Sequence, residues 1–211
     1  MKPIWETRFK KFLLDQCLSD DDSAHDFTHI QRVVTSAKML ARLEKARPAI
    51  VFPAAWLHDC VAVAKDHPDR SKSSTLAAER AVEFLQTSGY EPQYLEDIHH
   101  AIQAHSFSAG ITPETVEAKV VQDSDRLDAL GAIGIARCFM VGGKLGRALY
   151  QPDDPFCQNR APDDKTWTID HFYQKLFKLP GTMQTDAGKQ EAERRVRLMK
   201  TYLNALDNEI K

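Results

Sequence analysis

Apolar residues recur along this chain at intervals of three and four, and no stretch shows the sustained alternation of a half-buried strand. Trp5, Phe9, Phe12, Leu13 and Cys17 form the first stripe, with Lys10, Lys11 and Asp15 between them, which predicts an amphipathic helix over 4–18. Ser19-Asp20-Asp21-Asp22-Ser23 breaks it; the EF-hand spacing is absent, so a solvated turn is expected. A second helix is predicted from His25 to Glu44, with Val33, Ala37 and Leu40 on its stripe and His29 on the same face. Pro48 starts a third, through Ile50, Val51, Ala54, Leu57 and His58, ending near 59–64. A polar loop over 65–74 follows, and Ser73 or Ser74 is expected to cap a fourth helix, Thr75 to Thr87, stopped by Gly89.

Pro92 opens a fifth helix whose stripe, Leu95, Ile98 and Ile102, is continued by His105. His100 falls on the opposite face and is expected to be exposed. Thr112-Pro113-Glu114 reads as a cap with proline at the first helical position. The helix it begins carries Val116, Val120, Val121, Leu127 and Leu130 on more than one face, so it is expected to be buried nearly all round. Gly131 to Phe139 continues with small and apolar residues, and Gly142-Gly143-Lys144-Leu145-Gly146-Arg147 reads as a glycine-rich turn without P-loop spacing. Residues 151–166 form the longest irregular stretch, of the kind that often serves as a lid. Trp167 to Leu179 is predicted helical, and a last helix, Lys189 to Leu206, carries Ala192, Val196, Met199, Leu203 and Leu206 on a narrow stripe suited to packing on the domain or on a second copy. The pattern predicts an all-α fold, a single-domain helical bundle over residues 1–211.

Composition adds bounds. The 211 residues fit one large domain. With 28 basic and 30 acidic residues the net charge is −2, which gives no electrostatic footprint for nucleic acid but leaves room for a small anionic ligand. Cys17, Cys60, Cys138 and Cys157 form no C-x-x-C pair, so neither a zinc ribbon nor a disulfide framework is expected, and reduced thiols in a cytoplasmic protein are the simplest reading. Neither an apolar signal region over Met1–Lys11 nor a run of membrane-spanning length is present, so no membrane partner is expected.

Three polar groupings interrupt the apolar pattern: His25-Asp26-x-x-His29, His58-Asp59 and Asp123-Ser124-Asp125. Histidine and carboxylate, drawn from three helices, are the donor types a divalent transition ion takes. Taken singly, His29 reads first as a hydrogen-bonded core residue and His58-Asp59 as a surface pair at a helix end. Periodicity does not choose between Asp123 and Asp125, which fall on different faces of one helix. Behind His58-Asp59 lies a cationic loop with Lys65, His67 and Arg70.

With these stretches assembled, the chain resembles the HD-domain metal-dependent phosphohydrolase superfamily, and in particular a bacterial single-domain subgroup of about this length. The likeness rests on His25-Asp26-x-x-His29-x-x-Arg32-Val33, His58-Asp59 followed by Lys65-x-His67-Pro68-x-Arg70, Ala104-His105-Ser106-Phe107-Ser108, the stretch Val121 to Gly131, and Asp170-His171-Phe172-x-x-Lys175-Leu176. The resemblance implies one divalent ion held by His29, His58, Asp59 and Asp125. It favours Asp125 because Asp125-Arg126-Leu127 matches the superfamily's last ligand, leaving Asp123 as a neighbouring partner. Some HD proteins hold two metals through additional histidines; only His105 matches that region here, which implies a single-metal site. The Glu-Asp pair of the stringent-nucleotide hydrolases is replaced by Ala62-Val63.

The implied activity is hydrolysis of a nucleoside triphosphate or related phosphate ester or anhydride by metal-activated water, with Mn²⁺ favoured and Fe²⁺, Ni²⁺, Co²⁺ or Mg²⁺ as alternatives. Asp59 and His67 are the catalytic candidates, His67 as general acid or base, and Lys65, Arg70 and Lys175 are the candidate contacts to a phosphorylated substrate. A monomer or homodimer is expected. The rival readings are a non-catalytic metal- or nucleotide-binding module and a di-iron HD-type oxygenase.

Overall fold

The computed structural model describes residues 3–17, 27–61, 72–106 and 109–211. Among them the chain is helical without strands, apart from one isolated bridge between Ala148 and Trp167. It divides into two compact units, Met1–Asp125 and Arg126–Lys211. No helix among the described residues is long and apolar enough to cross a membrane.

In the first unit, α1 (Pro3–Cys17), α2 (Phe27–Leu43), α4 (Ser73–Thr87) and α5 (Leu95–Gln103) surround α3 (Pro48–Leu57). α3 has no polar face: Ile50, Val51, Ala54, Ala55, Trp56 and Leu57 are all buried, and a helix apolar all round is stable only when covered on every side. Pro53 inside it lacks the N–H that would bond the Ala49 carbonyl. The Tyr90 hydroxyl donates to that carbonyl instead, at 2.6 Å. Burial pushes the Tyr90 hydroxyl well above its usual range, so it stays a donor. Tyr90 is set in place where α4 ends: Gly89 takes φ +77°, and the Tyr90 N–H bonds Leu85 O at 2.9 Å. α1 seals this end through Trp5, which meets Tyr90 edge-on at 4.7 Å, and Phe12, which stacks on Phe84 at 4.1 Å.

α6 (Val116–Leu127) begins in the first unit. Its cap is Thr115, whose hydroxyl accepts the Ala118 N–H at 3.1 Å, rather than Thr112; Thr112-Pro113-Glu114 is non-helical. The fourth helix also departs from expectation. Lys72 occupies the cap position and makes no side-chain cap bond, while Ser73 Oγ bonds Val61 O and Ser74 is buried in the first turn. As expected, α6 is buried nearly all round from Ala118 to Ser124 apart from Lys119, which is half-buried.

The second unit is built on α9 (Asp186–Ile210), which packs on α7 (Gly131–Lys144) and buries Ala192, Val196, Met199 and Leu203. Thr185 caps α9, accepting the Gly188 N–H at 3.0 Å. α7 runs through Gly142 and Gly143 before it turns, because Gly142 lets Thr168 press against the helix backbone: a Cβ there would lie 2.4 Å from Thr168 Oγ1. The single helix expected over Trp167–Leu179 is two short pieces, α8 (Asp170–Gln174) and a 3-10 segment, Leu176–Thr182. The break falls at Lys175, with φ −131° and ψ −58°. The stretch 151–166 is tied down rather than lid-like. Asp154 accepts from the Gln158 and Asn159 N–H groups at 2.8 and 2.7 Å, and Arg160 forks onto the fully buried Asp170, with Nη2 2.7 Å from Oδ1.

Candidate metal centre

His58 sits one residue past the end of α3, as its C-cap, and Asp59 follows in the turn. Side chains of neighbours within a helix diverge by about 100°. Because α3 stops at Leu57, these two converge: His58 Nε2 is 3.6 Å from Asp59 Oδ2. The ring is held by Nδ1, which donates to Ala55 O at 2.9 Å and leaves the Nε2 lone pair facing inward. His29, in the first turn of α2, and Asp125, near the end of α6, complete the group. His29 Nε2 is 3.4 Å from Asp125 Oδ1 and 3.9 Å from Asp59 Oδ2, and His58 Nε2 is 3.9 Å from Asp125 Oδ1. The buried end of α3 thus meets α2 and α6 at one point inside the first unit.

His105 joins from the turn after α5. Its Nδ1 donates to Ile102 O at 2.6 Å, and its Nε2 is 3.4 Å from Asp59 Oδ1, the carboxylate oxygen other than the one nearest His58. Ligand atoms from His29, His58 and Asp125, and from His58, Asp59 and His105, form two overlapping groups, each within 4.8 Å. Asp123 is fully buried but outside both. His100, expected to be exposed, is half-buried, and its Nε2 accepts the Glu114 N–H at 3.0 Å. His25, Asp26, Lys65, His67 and Arg70 lie outside the described residues. Lys175 is an exposed residue of the second unit.

The electrostatics suit a cation. Burial lowers the His58 pKa below the usual imidazole value, favouring the neutral ring that ligates. Burial alone would raise Asp125, but the hydrogen bond and charge of His29, with His58 and His105 adding, bring it down to about 2. At His105 burial is outweighed by the hydrogen bond and charge of Asp59, which raise it. His58 Nε2 is buried and has no hydrogen-bond partner among the described residues. Donors about 2.1 Å from one shared ion stand about 3–4 Å apart, and each histidine–carboxylate separation between His29 or His58 and Asp59 or Asp125 falls in that range. A divalent ion fits the residues present.

One contributor went unassigned at the level of sequence. Gln122 is buried in α6, and its Nε2 donates to Ala104 O at 2.6 Å, tying α6 to the residue before His105. Its sequence signal is slight: an uncharged polar residue between Val120-Val121 and Asp123-Ser124-Asp125.

The fold and this cluster define an all-helical protein in which buried histidines meet half-buried aspartates, a composition that a divalent ion takes. The HD-domain family model matches residues 26–130, which contain the whole cluster. Over 214 aligned residues the chain is 32% identical to YpgQ of Bacillus subtilis, covering 100% of this chain and 96% of that protein. The crystal structure of YpgQ in complex with ADP superposes with a TM-score of 0.74 at 33% identity, covering 97% of each chain. An HD-superfamily hydrolase from Bacillus thuringiensis gives 0.73 at 34% identity, again over 97% of each. The chain belongs to the HD-domain family.

Proposed function

We propose that this protein is a divalent-metal-dependent phosphohydrolase of nucleotides, with His29, His58, Asp59 and Asp125 as ligands of one ion. The observation that carries the reading is the buried His58 Nε2, which has no hydrogen-bond partner among the described residues and faces two carboxylates 3.6 and 3.9 Å away. The mixed donor set favours Mn²⁺, with Fe²⁺, Ni²⁺, Co²⁺ and Mg²⁺ as alternatives. When bound, the ion supplies Lewis acidity that polarises a phosphoryl oxygen and acidifies water.

The chain's own groups do the rest. Ala55 O fixes the His58 tautomer, and His105 holds Asp59 by its second oxygen. His67 is the proposed general acid or base, and Lys65 and Arg70 the proposed contacts that offset phosphate charge. A nucleotide substrate is supported by the ADP complex of the 33% identical YpgQ, and hydrolysis by the 34% identical hydrolase. Among phosphate reactions we favour cleavage of an anhydride that releases pyrophosphate. Residues 1–211 act in this reading as one HD-type domain.

The reading is tested with a panel of nucleoside mono-, di- and triphosphates against Mn²⁺-loaded protein, measuring phosphate and pyrophosphate separately. Metal-dependent release from a nucleotide is expected. Nucleotide binding without turnover would favour a binding module, and two redox-active irons per chain would favour the oxygenase.

A further inference from the structure

The second unit holds a cleft of its own. Its volume is about 160 Å³, and Arg137, Arg147, His171 and Lys175 line it together with Cys138 and Leu176. Among the described residues no carboxylate contributes to its wall. The four basic residues differ in how they are held. Arg137 is pinned by Asp128, with Nη1 2.6 Å from Oδ2, and His171 Nδ1 by Asp164 Oδ2 at 2.7 Å. Arg147 and Lys175 make no ion pair with any described residue.

The backbone explains how they come together. α7 ends in a turn at Gly146, φ +66°, where the Arg147 N–H bonds Gly142 O at 2.9 Å. The bridge from Ala148 to Trp167 then runs the chain back toward α8, which carries His171 and stops at Lys175. Cys138 adds no negative charge, because burial raises its thiol to about 11. The result is a concave wall with two cations lacking carboxylate partners and two basic groups already oriented by partners of their own. Such a wall focuses positive potential on whatever fills it. The planar fork of arginine and the point charge of lysine are the usual partners of phosphate oxygens. The volume holds one or two phosphoryl groups.

We propose that this cleft is a phosphate-binding site, with Arg147 and Lys175 as its charge-bearing contacts and Arg137 and His171 as prepositioned donors. That the phosphate belongs to a nucleotide rests on the function proposed above; the cleft itself does not.

The test is calorimetric titration of the full chain, stripped of metal with EDTA, with inorganic pyrophosphate and separately with ADP at low salt. Wild type and the metal-centre variant His58→Ala are expected to bind pyrophosphate alike, and His58→Ala to lose Mn²⁺ binding. Arg147→Ala and Lys175→Ala are each expected to weaken pyrophosphate about tenfold or more, the loss of one charge-assisted hydrogen bond. The charge-preserving Arg147→Lys and Lys175→Arg are expected to retain most of the affinity, which separates a lost contact from a lost fold. If ADP binding shows the same sensitivity, the phosphate is a nucleotide's; if only pyrophosphate does, the site takes the free anion. Both results support the cleft. Pyrophosphate affinity unchanged in Arg147→Ala and Lys175→Ala, or no binding to metal-free wild type, overturns it and leaves the metal-centre reading intact.

Discussion

His105 Nε2 stands 3.4 Å from Asp59 Oδ1, while the other oxygen of the same carboxylate faces His58 and His29. One histidine thus stands beside a carboxylate whose other oxygen is directed to the proposed metal ligands His58 and His29. Replacing it should leave the ion bound but let Asp59 rotate. His105→Ala is expected to lower turnover by about 10–100-fold with one Mn²⁺ per chain retained, the usual cost of removing a group that orients a ligand. Metal content by mass spectrometry of the loaded protein, alongside kcat, checks this. Complete loss of metal would place His105 among the ligands themselves.

Gln122 supports the same end of α5 from below, through the Ala104 carbonyl. Gln122→Leu leaves that carbonyl without its donor and is expected to destabilise the chain by about 1–3 kcal/mol, read from denaturant melts.

The ion pair between Arg47 and Glu117 gives a pH prediction. Glu117 is 3% exposed and accepts the Arg47 backbone N–H at 3.0 Å and Nε at 2.9 Å. Burial pushes its carboxyl up, but the hydrogen bonds and charge of Arg47 outweigh this and hold it below the usual range. A depressed carboxyl stabilises the fold above its unfolded value of about 4.3, and that contribution is lost as pH falls through the lower folded value. Wild type should therefore lose stability on acidification below about pH 4.3. In Arg47→Met this acid-side loss should shrink, and stability at pH 7 should fall by about 1–3 kcal/mol, discounted because the Arg47 side chain is 53% exposed. Chemical denaturation from pH 3 to 7 measures both effects.

Two adjacent glycines in α7 should respond with opposite sign. A Cβ at Gly142 would meet Thr168 Oγ1 at 2.4 Å, whereas at Gly143 nothing lies within 4 Å. Gly142→Ala is expected to destabilise by about 1–3 kcal/mol through overpacking, and Gly143→Ala to stabilise by up to about 1 kcal/mol through helix propensity. Thermal melts of the two variants decide it.

The helical class and most boundaries are legible because most helices carry a stripe at the helical period, and α3, apolar all round, is marked instead by Pro48 at its start. What failed were competitions between equally plausible local signals. Thr112-Pro113 offered a good cap, but Thr115 lies three residues before the N–H it satisfies. Trp167–Leu179 carries a helical stripe, but the backbone at Lys175 leaves the helical region and divides it. For the site, His29 and His58-Asp59 could be nominated by residue type. Asp125 could not be chosen over Asp123 by periodicity, because α6 is covered on nearly all sides and both faces look alike. His105 was picked out by its place on the α5 stripe, yet its contact with Asp59 depends on a turn that periodicity does not describe. The cationic cleft is only half legible: His171 and Lys175 share one sequence stretch, but a turn and a broken helix bring Arg137 and Arg147 to them.

The proposed metal centre and its hydrolysis of nucleotides both depend on Asp59. This dependence is tested most directly by comparing wild type with Asp59→Ala, each incubated with Mn²⁺, for pyrophosphate release from nucleoside triphosphates and for bound metal. Mn²⁺-dependent turnover is expected in wild type, and loss of both metal and turnover in Asp59→Ala. Undiminished hydrolysis by metal-loaded Asp59→Ala would contradict it.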